Sequence, residues 1–136
     1  MTKVMIVDDE IYFATNIAKL LRVNDEGMDV LAVYSAVEAL KLLDNMFYDI
    51  IVTDVHMPKM SGIEFIEAIK QKWPETAIIV MTAYGAQDVM ENAFNTGTLF
   101  YIEKPFRIEK LETLIAIARK GHKKNTPEKK AAHADT

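Results

Sequence analysis

The chain has no cysteine, which excludes disulfides and thiolate zinc sites and fits a reducing cytoplasm. It has no apolar stretch approaching the length of a membrane span. Met1-Thr2-Lys3 leads straight into an apolar run too short to be the core of a signal peptide. No glycine-rich loop followed by Lys-Ser or Lys-Thr occurs, which removes the common nucleotide-hydrolase reading. An excess of positive charge is missing too. The formal net charge is −4, and the sixteen residues from Gly121 carry four lysines against two acids, so everything before them carries −6. That sign argues against nucleic acid as a direct ligand. The expectation is a soluble, cytoplasmic protein with no membrane partner and no direct contact to nucleic acid.

The chain does have enough apolar material for one substantial core. Its 136 residues are 50% hydrophobic, which suits a single domain and leaves no room for a second. Four short apolar runs each end in polar chemistry: Val4-Met5-Ile6-Val7 in Asp8-Asp9, Ile50-Ile51-Val52 in Thr53-Asp54, Ile78-Ile79-Val80-Met81 in Thr82, and Leu99-Phe100-Tyr101-Ile102 in Glu103-Lys104. Continuous runs of this length read as strands buried on both faces, the kind found in parallel sheets. Between them lie amphipathic segments: Glu10 to Val23 with Phe13, Ile17, Leu20 and Leu21 on one face; a helix after Ser35-Ala36-Val37-Glu38, a capping-box pattern; Ile63 to Lys72 with Ile63, Ile66 and Ile69; Gln87 to Thr96; and a last helix with Ile108, Leu111, Leu114, Ile115 and Ala118. With a further strand at Asp29 to Tyr34, five strands alternate with five helices, the mark of a doubly wound α/β sheet. Residues 1–120 form this unit. Residues 121–136, polar, rich in lysine and broken by Pro127, read as a flexible tail or the start of a linker.

Ligands of such sheets bind just beyond the carboxyl ends of the strands. Asp8, Asp9, Asp54, Thr82 and Lys104 are therefore expected to converge on one small site. Three carboxylates a few ångströms apart repel, and a hard divalent cation resolves the conflict. Magnesium prefers oxygen donors, keeps several waters and is usually completed by a phosphate. With a lysine cation and a threonine hydroxyl beside it, a carboxylate in such a site is cradled for phosphoryl transfer, and aspartate is itself a phosphoryl acceptor.

These blocks resemble the receiver domains of two-component response regulators: Val7-Asp8-Asp9-Glu10, Asp54-Val55-His56-Met57-Pro58-Lys59-Met60-Ser61-Gly62, Met81-Thr82-Ala83 and Lys104-Pro105-Phe106, in order and each at a strand end. The resemblance covers about residues 3 to 120. It implies a chemotaxis-regulator-like, flavodoxin-like strand order of 2-1-3-4-5. It implies that Asp54 is the phosphoacceptor and that Asp9 binds Mg2+ directly, Asp8 largely through water, and the His56 backbone carbonyl as a further ligand. Thr82 would donate to a phosphoryl oxygen, and Lys104 would pair with the carboxylate and then the phosphoryl group. Pro105 would follow a cis peptide bond. Thr82 and Tyr101 would form the switch, reshaping the face of the fourth helix, fifth strand and fifth helix for homodimerisation or partner binding. The donor would be a sensor histidine kinase or a phosphotransfer protein. His56 and Tyr84, two residues after Asp54 and Thr82, flank the path of an attacking water in receivers and are both bulky here, which suggests a long-lived acyl phosphate; the competing reading is that His56 acts as a general base and hastens hydrolysis.

On this reading the protein is a signalling switch and no enzyme beyond its own phosphorylation and dephosphorylation. Two other readings compete. A magnesium-dependent phosphohydrolase of the dehalogenase type would carry a second acid where His56 stands. A constitutive interaction module would keep the fold without phosphorylation, and a labelling assay separates it from a switch. The eight methionines read more simply as core filler than as a partner groove.

Overall fold

The computed structural model describes residues 1–83, 85–86 and 99–124. Five strands are present: β1 (Thr2–Val7), β2 (Met28–Val33), β3 (Ile50–Asp54), β4 (Ala77–Thr82) and β5 (Leu99–Glu103). All neighbours are parallel and the order is β2-β1-β3-β4-β5, as the resemblance implies. Among the described residues there are four helices, α1 (Ile11–Asn24), α2 (Ala36–Leu43), α3 (Gly62–Lys72) and a carboxyl-terminal helix (Ile108–Lys124). The expected helix from Gln87 to Thr96 lies outside the described residues, as does Tyr84.

The apolar runs are continuous because each strand feeds two cores. Alternate residues of a strand point to opposite faces. Val4 and Ile6 of β1, with Ile50, Val52, Ile79, Met81 and Ile102, pack under α1 and the carboxyl-terminal helix. Met5 and Val7, with Ile51, Ile78, Val80 and Leu99, pack under α2 and α3. Fully burying one such side chain contributes about 1.5–3 kcal/mol, so the sheet is held from both sides.

The buried stripe of α1 is Ala14, Ile17, Ala18 and Leu21, while Leu20 is exposed. Of the three isoleucines expected to line one face of α3, Ile66 and Ile69 are buried beside Phe65, but Ile63 is exposed. In both helices the apolar face is narrower than the apolar composition suggests, because only residues within one stripe of a 3.6-residue turn meet the sheet. At the start of α2 only half of the expected capping box forms: Ser35 Oγ accepts from Glu38 N–H at 3.1 Å. The complete box opens α3 instead, where Ser61 Oγ accepts from Glu64 N–H at 3.2 Å and Glu64 Oε1 accepts from Ser61 N–H at 3.2 Å.

The carboxyl-terminal helix passes the expected boundary at residue 120 and continues through Gly121 to Lys124. A glycine inside a helix costs about 1 kcal/mol relative to alanine, which weakens the last turns without ending them. The buried face of Leu111, Ile115 and Ala118 sets the position of the helix.

Gly62 fixes how α3 leaves the sheet. Its N–H donates to Val55 O at 3.0 Å, and a Cβ there would lie 2.3 Å from Val55 Cα and 2.8 Å from the carbonyl oxygen of Asp54. Only glycine permits so close an approach of two backbones. In the loop before it, Lys59 has φ 71°, a left-handed conformation that costs a non-glycine residue about 1–2 kcal/mol, while Met57 and Met60 anchor the loop against the core beneath α2 and α3.

Candidate functional site

The strand register brings the expected residues to one edge of the sheet. Val7 lies opposite Thr53, Asp54 opposite Met81, and Thr82 opposite Glu103, so the ends of β1, β3, β4 and β5 are level and the side chains just beyond them meet. Two backbone bonds extend the ladders past the strand ends: Asp8 N–H donates to Val33 O at 3.1 Å, and Lys104 N–H donates to Thr82 O at 2.8 Å. The Lys104–Pro105 peptide bond is cis.

Carboxylate oxygens of Asp8, Asp9 and Asp54 lie within 4.8 Å of one another. Asp8 is fully buried (0%), Asp54 nearly so (8%), and Asp9 is exposed, which leaves the cluster open to solvent on one side. Each buried acid is oriented by backbone. Asp8 Oδ1 accepts from Glu10 N–H at 2.9 Å. Asp54 Oδ1 accepts from Val55 N–H at 2.8 Å and from His56 N–H at 3.4 Å. Lys104 Nζ donates to Asp8 Oδ2 at 2.9 Å and stands 3.5 Å from Asp54 Oδ2 and 3.9 Å from Glu10 Oε1. Burial disfavours the Lys104 ammonium, but the hydrogen bond to Asp8 and the charges of Asp54, Asp8 and Glu10 outweigh it, so its pKa lies above the ordinary lysine value. The donor set is hard oxygen from three carboxyl groups, with one open side. It suits a divalent cation of the magnesium type.

Thr82 closes β4 and is buried; its hydroxyl makes a long 3.5 Å bond to Ile102 O. Tyr101, half-buried, lies opposite Val80 and packs on the core beneath α2 and α3. Thr82 is two residues after Val80, so it projects to the same face of the sheet as Tyr101. His56 is exposed.

Sequence reasoning passed over three participants. Glu103 lies opposite Thr82, and its Oε2 accepts from Gly85 N–H at 3.1 Å, tying the loop after β4 to β5. Phe13 of α1 presents its ring face to Lys104, with Nζ 4.5 Å from the centroid. Phe106 meets Phe13 edge-on, centroids 6.0 Å apart and planes at 81°. Phe13 lacked a signal because it fits the amphipathic pattern of its helix, Phe106 stood in a matched block with no role attached, and Glu103 only preceded Lys104 at the end of an apolar run.

A family model described as the response regulator receiver domain matches residues 4–116. The chain belongs to this family. It is 33% identical over 121 residues to chemotaxis protein CheY of Listeria monocytogenes, covering 88% of this chain and 100% of that protein. It is 37% identical over 94 residues to the DNA-binding transcriptional regulator NtrC of Proteus hauseri, covering 69% of this chain and 20% of that one. A solved response regulator receiver domain protein from Clostridium thermocellum superposes with a TM-score of 0.80 at 32% identity, covering 90% of this chain and 98% of the other. The chain thus spans the whole of some relatives and less than half of others, 46%, 20% and 26% in three cases. As a receiver domain of two-component systems it is a signalling domain, and the cluster of Asp8, Asp9 and Asp54 fits the magnesium binding and phosphorylation typical of the family. No helix among the described residues is long and apolar enough to cross a membrane.

Proposed function

We propose that this receiver domain is a phosphorylation-activated switch that takes a phosphoryl group onto Asp54 from a sensor histidine kinase or a phosphotransfer protein. The observation that carries the reading is the asymmetric seating of Asp54. Backbone N–H groups hold Oδ1, while Oδ2 faces the Lys104 ammonium at 3.5 Å. That oxygen attacks the phosphorus of phosphohistidine, or of a small acyl phosphate; the bond to the leaving nitrogen or oxygen breaks, and the leaving group keeps its electron pair. Asp8, Asp9 and Asp54, with the His56 backbone carbonyl, would hold Mg2+, which offsets the repulsion between three carboxylates and an anionic donor. Lys104 then exchanges part of its contact with carboxylate for a phosphoryl oxygen, and Thr82 donates its hydroxyl to another.

The new group adds charge and strong acceptors. As Thr82 moves toward it, space opens beside Tyr101 on the same sheet face, and the surface formed by β5 and the carboxyl-terminal helix changes shape. This surface serves a partner, an output domain or a second copy of the chain. A phosphoryl group shifts the population only through its differential interaction with the two states. We assign residues 1–120 to the switch and 121–136 to a tail or linker, and His56 and Tyr84 to the lifetime of the acyl phosphate. The setting is the cytoplasm.

Incubation with magnesium and acetyl phosphate, read by intact-mass analysis, tests the assignment. One added phosphoryl group is expected, lost in Asp54→Ala and in excess chelator. Unchanged labelling of Asp54→Ala would defeat the assignment of the acceptor, and an unlabelled wild type would favour the constitutive interaction module.

A further inference from the structure

We infer that Phe13 is a positioning residue for phosphoryl transfer: its ring holds the Lys104 ammonium against the phosphoacceptor without neutralising it. The inference rests on the proposed chemistry at Asp54. Lys104 has three carboxylates in reach, Asp8 Oδ2 at 2.9 Å, Asp54 Oδ2 at 3.5 Å and Glu10 Oε1 at 3.9 Å. Glu10 is 70% exposed, so it draws the lysine outward, away from the reacting oxygen. The Phe13 ring, 4.5 Å from Nζ, supplies a fourth attraction. Its negative π face attracts a cation electrostatically, yet it takes no classical hydrogen bond and carries no charge. The N–H groups therefore stay directed at oxygen, and the full positive charge remains for the developing phosphoryl anion.

The ring is itself held in place. Phe13 and Phe106 are half-buried and pack on the core beneath α1 and the carboxyl-terminal helix, and the edge of one meets the face of the other at 6.0 Å. Phe106 also follows Lys104 by two residues, so lysine, ring and brace form one unit between the start of α1 and the loop after β5. An aliphatic side chain at position 13 could fill the space but would offer no quadrupole, and the lysine would spend more time with Glu10 or water.

The test separates ring from bulk. Phosphorylation from saturating acetyl phosphate and magnesium is followed by intact mass in wild type, Phe13→Leu, Phe13→Met, Phe13→Tyr and Phe13→Trp, with magnesium affinity and melting point measured alongside. The first-order rate is expected to fall roughly three- to tenfold in Phe13→Leu and Phe13→Met, to return in Phe13→Tyr and Phe13→Trp, and to do so with magnesium affinity within about twofold throughout. In the NMR spectrum, the ε-methylene protons of Lys104 should lie upfield of ordinary lysines in the aromatic variants and move back in the aliphatic ones. Phe13→Met keeps the comparison intact if Phe13→Leu fails to melt cooperatively. Aliphatic variants that react at the wild-type rate, or aromatic variants as slow as the aliphatic ones, overturn the inference while leaving Asp54 as acceptor. A wild type that takes up no phosphoryl group overturns the chemistry at Asp54 and this inference with it.

Discussion

Lys104 Nζ donates to the fully buried carboxylate of Asp8 at 2.9 Å, a tighter contact than its 3.5 Å approach to Asp54. In this state the lysine is a structural counter-ion to an acid that has no solvent of its own. On the proposed function, its partner in phosphoryl transfer is the neighbour it touches less closely.

Removing that counter-ion should therefore cost stability. Lys104→Met leaves the Asp8 charge unpaired, and a loss on the order of 2 kcal/mol is expected without divalent cations. Magnesium should restore part of it, because it offsets the same charge. The double variant Asp8→Asn with Lys104→Met should recover most of the loss, giving a coupling energy in a double-mutant cycle. Urea denaturation with and without magnesium measures all three; losses that simply add would show that Asp8 and Lys104 do not stabilise each other.

Gly62 offers a steric test. Its absent Cβ would stand 2.3 Å from Val55 Cα, and both backbones are held, Val55 directly after β3 by its N–H bond to Asp54 Oδ1 and Gly62 by the capping box of Ser61 and Glu64. Gly62→Ala should destabilise by about 2 kcal/mol, as overpacking does, and should slow phosphorylation, since Val55 N–H orients Asp54. A denaturation midpoint equal to that of wild type would show that the loop yields easily.

The site was legible from sequence because parallel strands buried on both faces write themselves as continuous apolar runs. The polar residue that ends each run must then lie at a strand end, which located Asp8, Asp9, Asp54, Thr82 and Lys104 before any contact was known. What stayed hidden depends on distance in space. The need for glycine at Gly62 arises only when α3 returns to β3. Phe13 and Phe106 lie far apart in the chain; the first satisfies helix patterning alone, and the second follows Lys104-Pro105 with nothing in the sequence to say which ring it meets. The two serine-glutamate pairs, Ser35 with Glu38 and Ser61 with Glu64, have the same spacing, yet only the second closes its box; spacing permits the reciprocal bond, and the side-chain rotamer decides whether it forms.

The amino-terminal edge of the sheet should set the alkaline limit of stability. Lys3 Nζ donates to Asp29 Oδ2 at 2.8 Å, and this bond, with the charges of Asp29, Tyr48 and Asp49, raises the lysine pKa despite opposing desolvation. Burial raises the pKa of the Tyr48 phenol, against the opposing charge of Lys3. In both groups the folded state favours the protonated form. Their contribution is complete below the unfolded-state pKa, near 10, and is lost as pH rises through the higher folded-state values. Melting temperature should thus fall above about pH 10, and Tyr48→Phe should flatten that decline while leaving the protein at pH 7 little changed. An identical alkaline profile in Tyr48→Phe would remove the phenol from the account.

On the proposed function, the lifetime of the acyl phosphate is expected to turn on His56. Its backbone N–H donates to Asp54 Oδ1 at 3.4 Å, and the residue is exposed. Hydrolysis needs a water in line with the bond from phosphorus to the Asp54 oxygen, on the side away from the carboxylate. A bulky ring two residues from the proposed acceptor is expected to obstruct that approach, and it offers neither the carboxylate nor the amide that would orient the water. His56→Ala should then shorten the lifetime on the order of threefold, about 0.7 kcal/mol of barrier, with the rate of phosphorylation little changed. The measurement is a time course of phosphoryl loss by intact mass after the donor is removed. The opposite result has a definite meaning: slower loss in His56→Ala would make the imidazole a general base for the attacking water, and the side chain would shorten the signal it is expected to prolong.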